Sequence, residues 1–326
     1  MHVVVTGAAG FIGSHTCERL VAAGHHVTGV DSFDAYLYPA ERKRAVAREL
    51  AALPRFQLIE ADICDRAAIA GAIDDTVDVV CHLAALAGVR PSLAEPLRYL
   101  RTNIEGTGVI IERMRQTGRA RLVFASSSSV YGAKQGPDLR LVAAFREDDP
   151  CLAPASPYAA TKRMNELQLS AYRDLFGLGV YALRFFTVYG PRQRPDMAIA
   201  KFTQAIASGQ PITLFGDGTS RRDYTFIDDI VRGTVAAIEA VQPGCYELVN
   251  LGGTHTISLR ELVQLIEEAV GKPAVIDWQP HQPGDVPVTY ANIDRASALL
   301  GYEPTTLPEV GIARYWEWYQ RQPGPA

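Results

Sequence analysis

Residues 6–13 read TGAAGFIG, and this stretch decides the fold that the sequence predicts. Gly7, Gly10 and Gly13 have a GxxGxxG spacing that follows an apolar run and opens a helical pattern. Glycines in such a turn let the backbone approach a pyrophosphate closely, and free N–H groups with the positive end of the helix dipole meet its charge. The position at the first strand-to-helix turn therefore predicts a dinucleotide site rather than an ordinary tight turn.

Apolar runs alternate with helical patterns outward from this loop. They cover 3–6, 12–23, 26–31, 56–61, 77–83 and 122–126, in that order. Such alternation is typical of βαβ units, so we expect an α/β protein with a doubly wound parallel Rossmann sheet covered by helices on both faces. Beyond Thr187, glycine and proline shorten the pieces, and then come a helix at 226–239, a buried strand at 246–251 and helices at 258–270 and 307–319.

The composition of the 326 residues, 48% hydrophobic and 21% charged, is that of a soluble globular protein of one or two domains. A formal net charge of -4 offers no general attraction for nucleic acid, and we expect no such partner. The chain shows neither a secretory pattern nor a run of about 18 apolar residues, so a cytoplasmic location without membrane association is expected. The five cysteines have no CxxC spacing, which predicts free thiols and no metal site.

Asp31 ends the second apolar run, about twenty residues past the glycine loop. A carboxylate there can accept hydrogen bonds from an adenosine ribose and would repel a 2′-phosphate, which favours NAD over NADP. Lys43 and Arg44 nearby are interpreted as a solvated helix face. Asp62 closes the third run, where it either meets the adenine or caps the following helix.

Tyr158 and Lys162 lie in SPYAATK (156–162), one helical turn apart on the same face. An ammonium beside a phenol stabilises the phenolate, so Tyr158 can act as a base near neutral pH rather than near its ordinary pKa of about 10. Ser126 to Ser129 form a run of hydroxyls at a strand end, where ligands bind in this fold. The tyrosine–lysine spacing alone is common in amphipathic helices, but with the serine run and the glycine loop it indicates a catalytic site.

Together these motifs resemble the extended short-chain dehydrogenase/reductase, or NAD-dependent epimerase/dehydratase, family over nearly the whole chain. Within it the resemblance is closest to UDP-glucuronate 4-epimerases. It rests on HLAALAGVRPSL (82–93), SSSSVYG (126–132), LRFFTVYGPRQRPDMA (183–198), RRDYTFIDDI (221–230) and QPGDVPVTYANI (282–293). The resemblance implies an enzyme that interconverts UDP-glucuronate and UDP-galacturonate through a 4-keto intermediate.

By the same resemblance, Tyr158, Lys162 and Ser127 are catalytic. Tyr158 would take the proton of the sugar's 4-hydroxyl while hydride passes from C4 to tightly held NAD, and the keto sugar would turn over before hydride returns to its opposite face. Ser127 would hydrogen-bond the reacting oxygen. The expected NAD contacts are Gly7, Gly10, Phe11, Ile12, Gly13, Asp31, Ser32, Asp62, Ile63, Leu83, Ala84, Ala85, Asn103, Ser126, Tyr158 and Lys162.

The acid sugar brings a chemical difficulty, because a C4 ketone beside the C5 carboxylate is a β-keto acid that can lose carbon dioxide. An epimerase must hold that carboxylate so that its scissile bond is poorly aligned with the carbonyl π system. The hydroxyls of Ser128, Ser129 and Thr187 are the candidates for this grip. Galactose-type epimerases resemble this chain but have asparagine in place of Thr187, and 4,6-dehydratases have an acidic pair where Ser128 and Ser129 stand.

The remaining substrate contacts follow from the same resemblance. Arginine is suited to phosphate oxygens because its guanidinium donates several hydrogen bonds in one plane. Candidates are Arg90, Arg194 and Arg222 at the diphosphate, Gln282 and Asp285 at the ribose, Thr213 and Phe215 at the uracil, and Met197 as a further contact. Some related epimerases have arginine in place of Gln282.

Other functions stay open. They are UDP-glucose or UDP-GlcNAc 4-epimerase, UDP-glucuronate decarboxylase and, from a different class, a non-catalytic NAD-binding regulatory protein, which would usually lack the tyrosine or the lysine. We expect an NAD-binding Rossmann domain over 1–187, rejoined by about 226–251, and a smaller α/β nucleotide-sugar-binding domain over 188–225 and 252–326. Members of the family are commonly homodimers, and the resemblance implies a homodimer here.

Overall fold

A computed structural model describes residues 1–132, 144–280 and 288–322. Its main element is a parallel sheet of seven strands. From one edge to the other these are β10 (Tyr246–Leu251), β6 (Gly179–Phe185), β5 (Arg121–Ser127), β4 (Val79–His82), β1 (His2–Thr6), β2 (His26–Asp31) and β3 (Phe56–Glu60). The order of β1 to β6 is that of a doubly wound Rossmann sheet, so the predicted fold class is confirmed.

Helices cover both faces of this sheet because its strands are apolar on both sides. Val3 and Val5 of β1 belong to one core cluster and Val4 to another. Continuous apolar runs of this kind mark strands that are buried on both faces. The helices of this part are α1 (Phe11–Ala22), α2 (Ala40–Ala51), α3 (Arg66–Ala72), α4 (Val89–Ala94), α5 (Pro96–Tyr99), a π-helical stretch (Leu100–Glu105), α6 (Gly106–Gln116), α7 (Pro157–Phe176) and α9 (Ile227–Ala240).

A second, smaller sheet forms the rest of the architecture. It contains β7 (Thr187–Tyr189), β9 (Arg221–Phe226), β11 (Thr256–Ser258) and β13 (Val288–Thr289), while β8 (Ile212–Phe215) pairs in parallel with β12 (Ile276–Gln279). Its helices are α8 (Ala198–Ser208), α10 (Leu259–Val270), α11 (Asp294–Leu300) and α12 (Pro308–Gln320). The smaller α/β part predicted from the sequence is therefore present. The segments of this smaller part are separated in the sequence by α9 and β10, which return the chain to the large sheet, where β10 pairs with β6.

Both ends of helix α10, which was predicted at 258–270, are fixed by residues close in the sequence. Ser258 accepts a hydrogen bond from the Glu261 amide, and the Glu261 carboxylate accepts one from the Ser258 amide. This capping box fixes the first turn, and Gly271 ends the helix in the left-handed region.

Three further observations bear on the sequence expectations. All five cysteines are free, and Cys17, Cys81 and Cys151 are buried. In the described ranges we find no helix with the length and apolarity that crossing a membrane requires. The same ranges hold no group of three or more His, Cys, Asp and Glu side chains arranged to bind a metal ion.

Candidate active site

A cavity of about 520 Å³ opens at the carboxyl ends of the parallel strands, where the strand order reverses between β1 and β4. Ligands of doubly wound sheets bind at this point. Every predicted NAD contact except Asn103 lines the cavity. The predicted substrate contacts that line it are Ser127, Ser128, Ser129, Thr187, Arg194 and Met197.

The glycine loop is packed so tightly that side chains are excluded. A Cβ atom on Gly13 would lie 2.0 Å from the carbonyl oxygen of Gly7, and one on Gly7 would lie 2.9 Å from the amide nitrogen of Ala84. Gly7 also has φ +71°, which favours glycine. The amides of Gly7 and Ala8 donate to the Val30 carbonyl, so the loop is tied to β2. The N-terminus of α1 therefore lies at the cavity, which is the position that a pyrophosphate site requires.

Asp31 lies at the end of β2 and also has a structural role that was not predicted from the sequence. One carboxylate oxygen accepts from the amide of Ala9 at 3.0 Å, and the other accepts from the amide of Phe33 at 2.9 Å. Each oxygen keeps a second lone pair. Asp31 therefore fixes the glycine loop against β2 and still lines the cavity, where a ribose could bind.

The capping alternative for Asp62 is wrong. The helix that follows it, α3, is capped by Asp65, whose side chain accepts from the amides of Ala67 and Ala68. Asp62 instead accepts from the amide of Cys64 at 2.9 Å and lines the cavity beside Ile63.

The chain after β2 forms a cavity wall that the sequence analysis missed. Leu37, Tyr38 and Lys43 line the cavity, and the Lys43 ammonium lies 5.0 Å from the Tyr38 ring centroid and donates to the Asp34 carbonyl. The interpretation of Lys43 as part of a solvated face is therefore wrong, whereas Arg44 is exposed and pairs with Glu60. Aromatic residues clustered directly after a strand end were the available signal.

Tyr158 lies in the first turn of α7, which begins where Ser156 accepts a hydrogen bond from the amide of Ala159. Burial raises the pKa of the Tyr158 hydroxyl, and a hydrogen bond with Ser127 and the positive charge of Arg194 oppose this rise. The ring packs edge-on against buried Tyr99, with centroids 6.2 Å apart. These contacts fix the phenol at the cavity wall.

Lys162 is buried one turn further along α7. Its ammonium donates to the Ala125 carbonyl at 2.7 Å and lies 4.7 Å from the Phe124 ring centroid. Burial lowers the pKa of Lys162 to about 7. The positive charge that lowers the pKa of the Tyr158 hydroxyl is that of Arg194, which was predicted to bind phosphate, rather than that of Lys162.

The serine run ends β5 and starts a 3₁₀ turn. The Ser129 hydroxyl donates to the Ser127 oxygen at 2.9 Å, so these two hydroxyls are ordered relative to each other. Ser126 points the opposite way and donates to the buried carboxylate of Glu166 at 2.7 Å. The cavity is lined by Ser127, Ser128 and Ser129, and also by Thr187 at the start of β7.

Arg194 is held by three hydrogen bonds. Its guanidinium makes two with the Asp196 carboxylate, at 2.9 and 2.6 Å, and donates to the Ala87 carbonyl at 3.0 Å. The same carbonyl accepts from the hydroxyl of Tyr99. Arg194 is thus fixed in the cavity wall, and two of its five N–H groups remain for a ligand.

Asn103 lies behind the cavity wall rather than in it. Its amide accepts from the Leu86 N–H and donates to the Leu86 carbonyl and to the Thr161 hydroxyl. Asn103 thereby holds the wall segment after β4 at a set distance from α7. Its contribution to a cofactor site is through Leu86, which lines the cavity.

Four predicted substrate contacts among the described residues do not line this cavity: Arg90, Thr213, Phe215 and Arg222. The Arg90 guanidinium lies 5.7 Å from the Phe215 ring centroid, so these two side chains are neighbours. Thr213 is exposed on β8, and Arg222 on β9 pairs with β11 and β13. Gln282 and Asp285 lie outside the described residues. The strands before and after these two residues, β12 and β13, pair with strands that carry other predicted contacts. Gln279 pairs with Phe215, and Thr289 pairs with Arg222.

The model of the NAD dependent epimerase/dehydratase family matches residues 3–252, which is most of the chain. The chain belongs to this family. The UDP-glucuronate 4-epimerase of Thermodesulfobacterium geofontis is 41% identical to it over 97% of this chain and 95% of that protein. The resemblance seen in the sequence motifs is therefore confirmed.

Solved structures of the epimerase/dehydratase family give the same result. The UDP-glucuronic acid 4-epimerase of Bacillus cereus, in complex with UDP-glucuronic acid and NAD, superposes with a TM-score of 0.90 at 38% identity, covering 98% of this chain and 99% of that one. The UDP-glucose 4-epimerase of Thermotoga maritima, with UDP-glucose, has a TM-score of 0.86 at 30% identity over 98% and 99%. Acid-sugar and neutral-sugar epimerases thus share this fold, so the sugar must be inferred from side chains.

Proposed function

We propose that this protein is an NAD-dependent 4-epimerase that interconverts UDP-glucuronate and UDP-galacturonate. The observation that carries the proposal is one cavity in which Tyr158 and Ser127 lie with the neutral hydroxyls of Ser128, Ser129 and Thr187. Tyr158 and Ser127 are suited to proton transfer at a sugar hydroxyl. The hydroxyls of Ser128, Ser129 and Thr187 are suited to holding a carboxylate, because they are neither acids nor bases at neutral pH. The identity to UDP-glucuronate 4-epimerases supports the same conclusion.

The described residues fit NAD. The glycine loop leaves room for backbone approach only, since any Cβ on Gly13 would overlap Gly7, and Asp31 stands where it would repel a 2′-phosphate. NAD supplies a reversible hydride acceptor, so oxidation and re-reduction of the sugar leave no net redox change. Leu83, Ala84 and Ala85 provide a wall of small and apolar side chains along which a dinucleotide can lie.

Tyr158 acts as the base for the 4-hydroxyl and later returns the proton. Its phenolate is favoured by the hydrogen bond with Ser127 and by the positive charge of Arg194, which both lower its pKa relative to a phenol that is merely buried. Ser127 shares a hydrogen bond with Tyr158, so it can direct the reacting oxygen to that residue. A positioned general base of this kind contributes about 10²–10⁴-fold to a rate.

Ser128, Ser129 and Thr187 hold the sugar carboxylate in our proposal. The first two lie in the turn after β5, and Thr187 lies at the start of β7, so the grip comes from two separate elements. Hydroxyls donate hydrogen bonds to a carboxylate without transferring a proton to it at neutral pH, and Ser129 would turn its one hydroxyl proton from Ser127 to the carboxylate when the sugar binds. They can therefore fix the angle between the carboxylate and the C4 carbonyl, which disfavours loss of carbon dioxide.

The nucleotide is placed at the smaller sheet. Phe215 on β8 and Arg222 on β9 pair with β12 and β13, the strands that come before and after the 281–287 segment in the chain. Arg90 lies 5.7 Å from the Phe215 ring centroid. We accordingly divide the chain into an NAD-binding domain over 1–187 with about 226–251 and a nucleotide-sugar-binding domain over 188–225 and 252–326. The return of β10 to the large sheet supports this division.

Incubation with UDP-glucuronate, followed by NMR of the nucleotide sugars, is expected to show UDP-galacturonate as the main product. Thr187→Val is expected to raise the share of a UDP-pentose, because the variant keeps the shape of threonine but loses a carboxylate contact, whereas Thr187→Ser should stay close to wild type. A UDP-pentose as the sole product of the wild type would instead identify a decarboxylase. Turnover of UDP-glucose alone would identify a neutral-sugar epimerase, and no turnover with NAD bound would favour a regulatory protein.

We further propose that the enzyme is a cytoplasmic homodimer. Five free cysteines are typical of a reducing compartment. Large apolar side chains stay exposed on α5 and α7, which pack against each other: Leu97 is 77% exposed and Leu167 is 56% exposed. An apolar surface of this kind supports pairing with a second copy.

Leu97→Glu combined with Leu167→Glu is expected to convert the dimer to a monomer in light-scattering measurements. The control is Leu152→Glu, because Leu152 is 86% exposed and lies on neither helix. A monomeric wild type, or a dimeric double variant, would contradict the proposed interface.

A further inference from the structure

The turn that follows β7 has an arginine where its backbone favours glycine. Gln193 donates its amide hydrogen to the Gly190 carbonyl at 3.1 Å, which closes the turn 190–193. Pro191 is its second residue, and Arg192, its third, has φ +65°, a left-handed conformation. Turns with proline at the second position and a positive φ at the third normally have glycine or asparagine there. Other residues keep such a strained conformation when the surrounding structure fixes them, and these sites are often functional.

The Arg192 side chain lies between two helices of the Rossmann part. Its Nη2 atom contacts the Glu18 carboxylate of α1 at 2.8 Å and the Glu49 carboxylate of α2 at 2.7 Å. We call these two ion pairs the Arg192 clamp. The arginine side chain is only 18% exposed, so the clamp is partly shielded from water. A glycine would fit the backbone of the turn, but it could not make these contacts.

A second contact attaches the same turn to α1. The Nε2 atom of His15 lies 3.0 Å from the Pro191 carbonyl oxygen, which can only accept, so this nitrogen donates. The His15 ring also packs edge-on against Phe11, with centroids 6.1 Å apart. Phe11 lines the cavity beside the glycine loop. The turn is therefore attached to the helix whose N-terminus we assign to the pyrophosphate.

Arg194 directly follows this turn in the chain and lines the cavity. Its two hydrogen bonds with Asp196 lie within one short segment, so they orient the guanidinium but do not fix the segment on the rest of the fold. Its bond to the Ala87 carbonyl fixes the guanidinium end. The clamp fixes the backbone end, because it holds the turn from which Arg194 leaves.

We propose that Arg192 is a positioning residue for substrate binding, because the Arg192 clamp fixes the turn that sets the position of Arg194 at the cavity. The inference rests on the proposed function, since it takes the UDP-sugar as the ligand of the two free N–H groups of Arg194. A guanidinium binds phosphate and carboxylate oxygens through donors in one plane, so a small displacement costs hydrogen bonds. Glu18 and Glu49 thereby contribute to the affinity for a ligand, although neither lines the cavity.

The test measures the affinity for UDP-glucuronate by titration calorimetry, in NAD-bound protein that carries Tyr158→Phe to suppress turnover. Arg192→Gly is expected to weaken this affinity about 10-fold, the effect of losing one hydrogen bond to a charged group. Glycine suits a positive φ, so relief of backbone strain offsets the lost ion pairs, and the thermal unfolding temperature should change little. The affinity for NAD should stay the same, because the glycine loop is not altered.

A second variant breaks the clamp from the side of the helices. Glu18→Ala combined with Glu49→Ala removes both carboxylates, leaves the turn intact and places a good helix former at each site. The same loss of about 10-fold is expected. Adding Arg192→Gly should then cause no further loss, because all three changes remove the same contacts. Unchanged affinity in the glutamate variant would overturn the proposal, since the effect of Arg192→Gly would then belong to the backbone of the turn.

Arg55→Gly is the matched control. Arg55 also follows a proline and has φ +60°, but its guanidinium donates to the Gly24 carbonyl, and neither residue lines the cavity. This variant should bind UDP-glucuronate as tightly as the protein without it. An equal loss in Arg55→Gly, or an equal loss of NAD affinity in Arg192→Gly, would assign the effect to a general disturbance of the fold and would also overturn the proposal.

Turnover by protein with Tyr158 intact separates this inference from the proposed function. Weaker binding in the clamp variants of a protein that binds UDP-glucuronate without converting it would refute the epimerase and leave the role of Arg192 standing. Unchanged binding in the clamp variants of an active enzyme would do the reverse. A protein that does not bind UDP-glucuronate at all would overturn both.

Discussion

Tyr158→Phe is expected to lower kcat for UDP-glucuronate about 10³-fold while NAD stays bound. The variant loses the hydroxyl that exchanges the proton with the sugar and the hydrogen bond with Ser127, but it keeps the ring that packs against Tyr99 at 6.2 Å. In our proposal the glycine loop and Asp31, which are on other elements, hold the dinucleotide, so the variant should still bind it. The measurements are the steady-state rate by NMR and the NAD content of the purified protein.

The thermal unfolding temperature of this variant gives the control. Phenylalanine fits the same space, so the temperature should change little, and a low rate then cannot be attributed to unfolding. A rate within a few-fold of wild type would remove Tyr158 from the role of base. Loss of NAD together with activity would show instead that the hydroxyl serves mainly to hold the cofactor.

Gly13→Ala is expected to weaken NAD binding by about 100-fold or more, because the added methyl would lie 2.0 Å from the Gly7 carbonyl oxygen. The loop cannot easily move away, since the amides of Gly7 and Ala8 are bonded to β2 and Asp31 holds Ala9. The N-terminus of α1 would have to shift, and with it the N–H groups that we assign to the pyrophosphate. Titration calorimetry with NAD on protein freed of nucleotide measures the effect.

Gly71→Ala is the matched control, because Gly71 lies in helix α3 with open space around its Cβ position. Alanine is favoured over glycine in a helix by up to about 1 kcal/mol, so this variant should bind NAD normally and be at least as stable as wild type. Normal NAD affinity in Gly13→Ala would show that the loop tolerates a side chain. The assignment of 6–13 as the pyrophosphate site would then have to be abandoned.

Local patterns in the sequence determined most of the secondary structure and the motifs that form the candidate active site. The strand predicted at 246–251 is β10 within the same bounds, and the helix predicted at 226–239 is α9 at Ile227–Ala240. Period and capping are properties of neighbouring residues, so a single chain carries them. The same holds for the glycine spacing and for Tyr158 and Lys162, which one turn of α7 brings to the same face.

Only the tertiary structure decided which groups meet across the fold. Arg194 donates to the Ala87 carbonyl and acts on Tyr158, Lys43 reaches the cavity wall, and Glu166 meets Arg184 from another element. These contacts depend on the order of the strands and on the packing of helices over them. Burial then sets their strength, because charges interact far more strongly away from water, and the sequence alone does not state how deeply a side chain will lie.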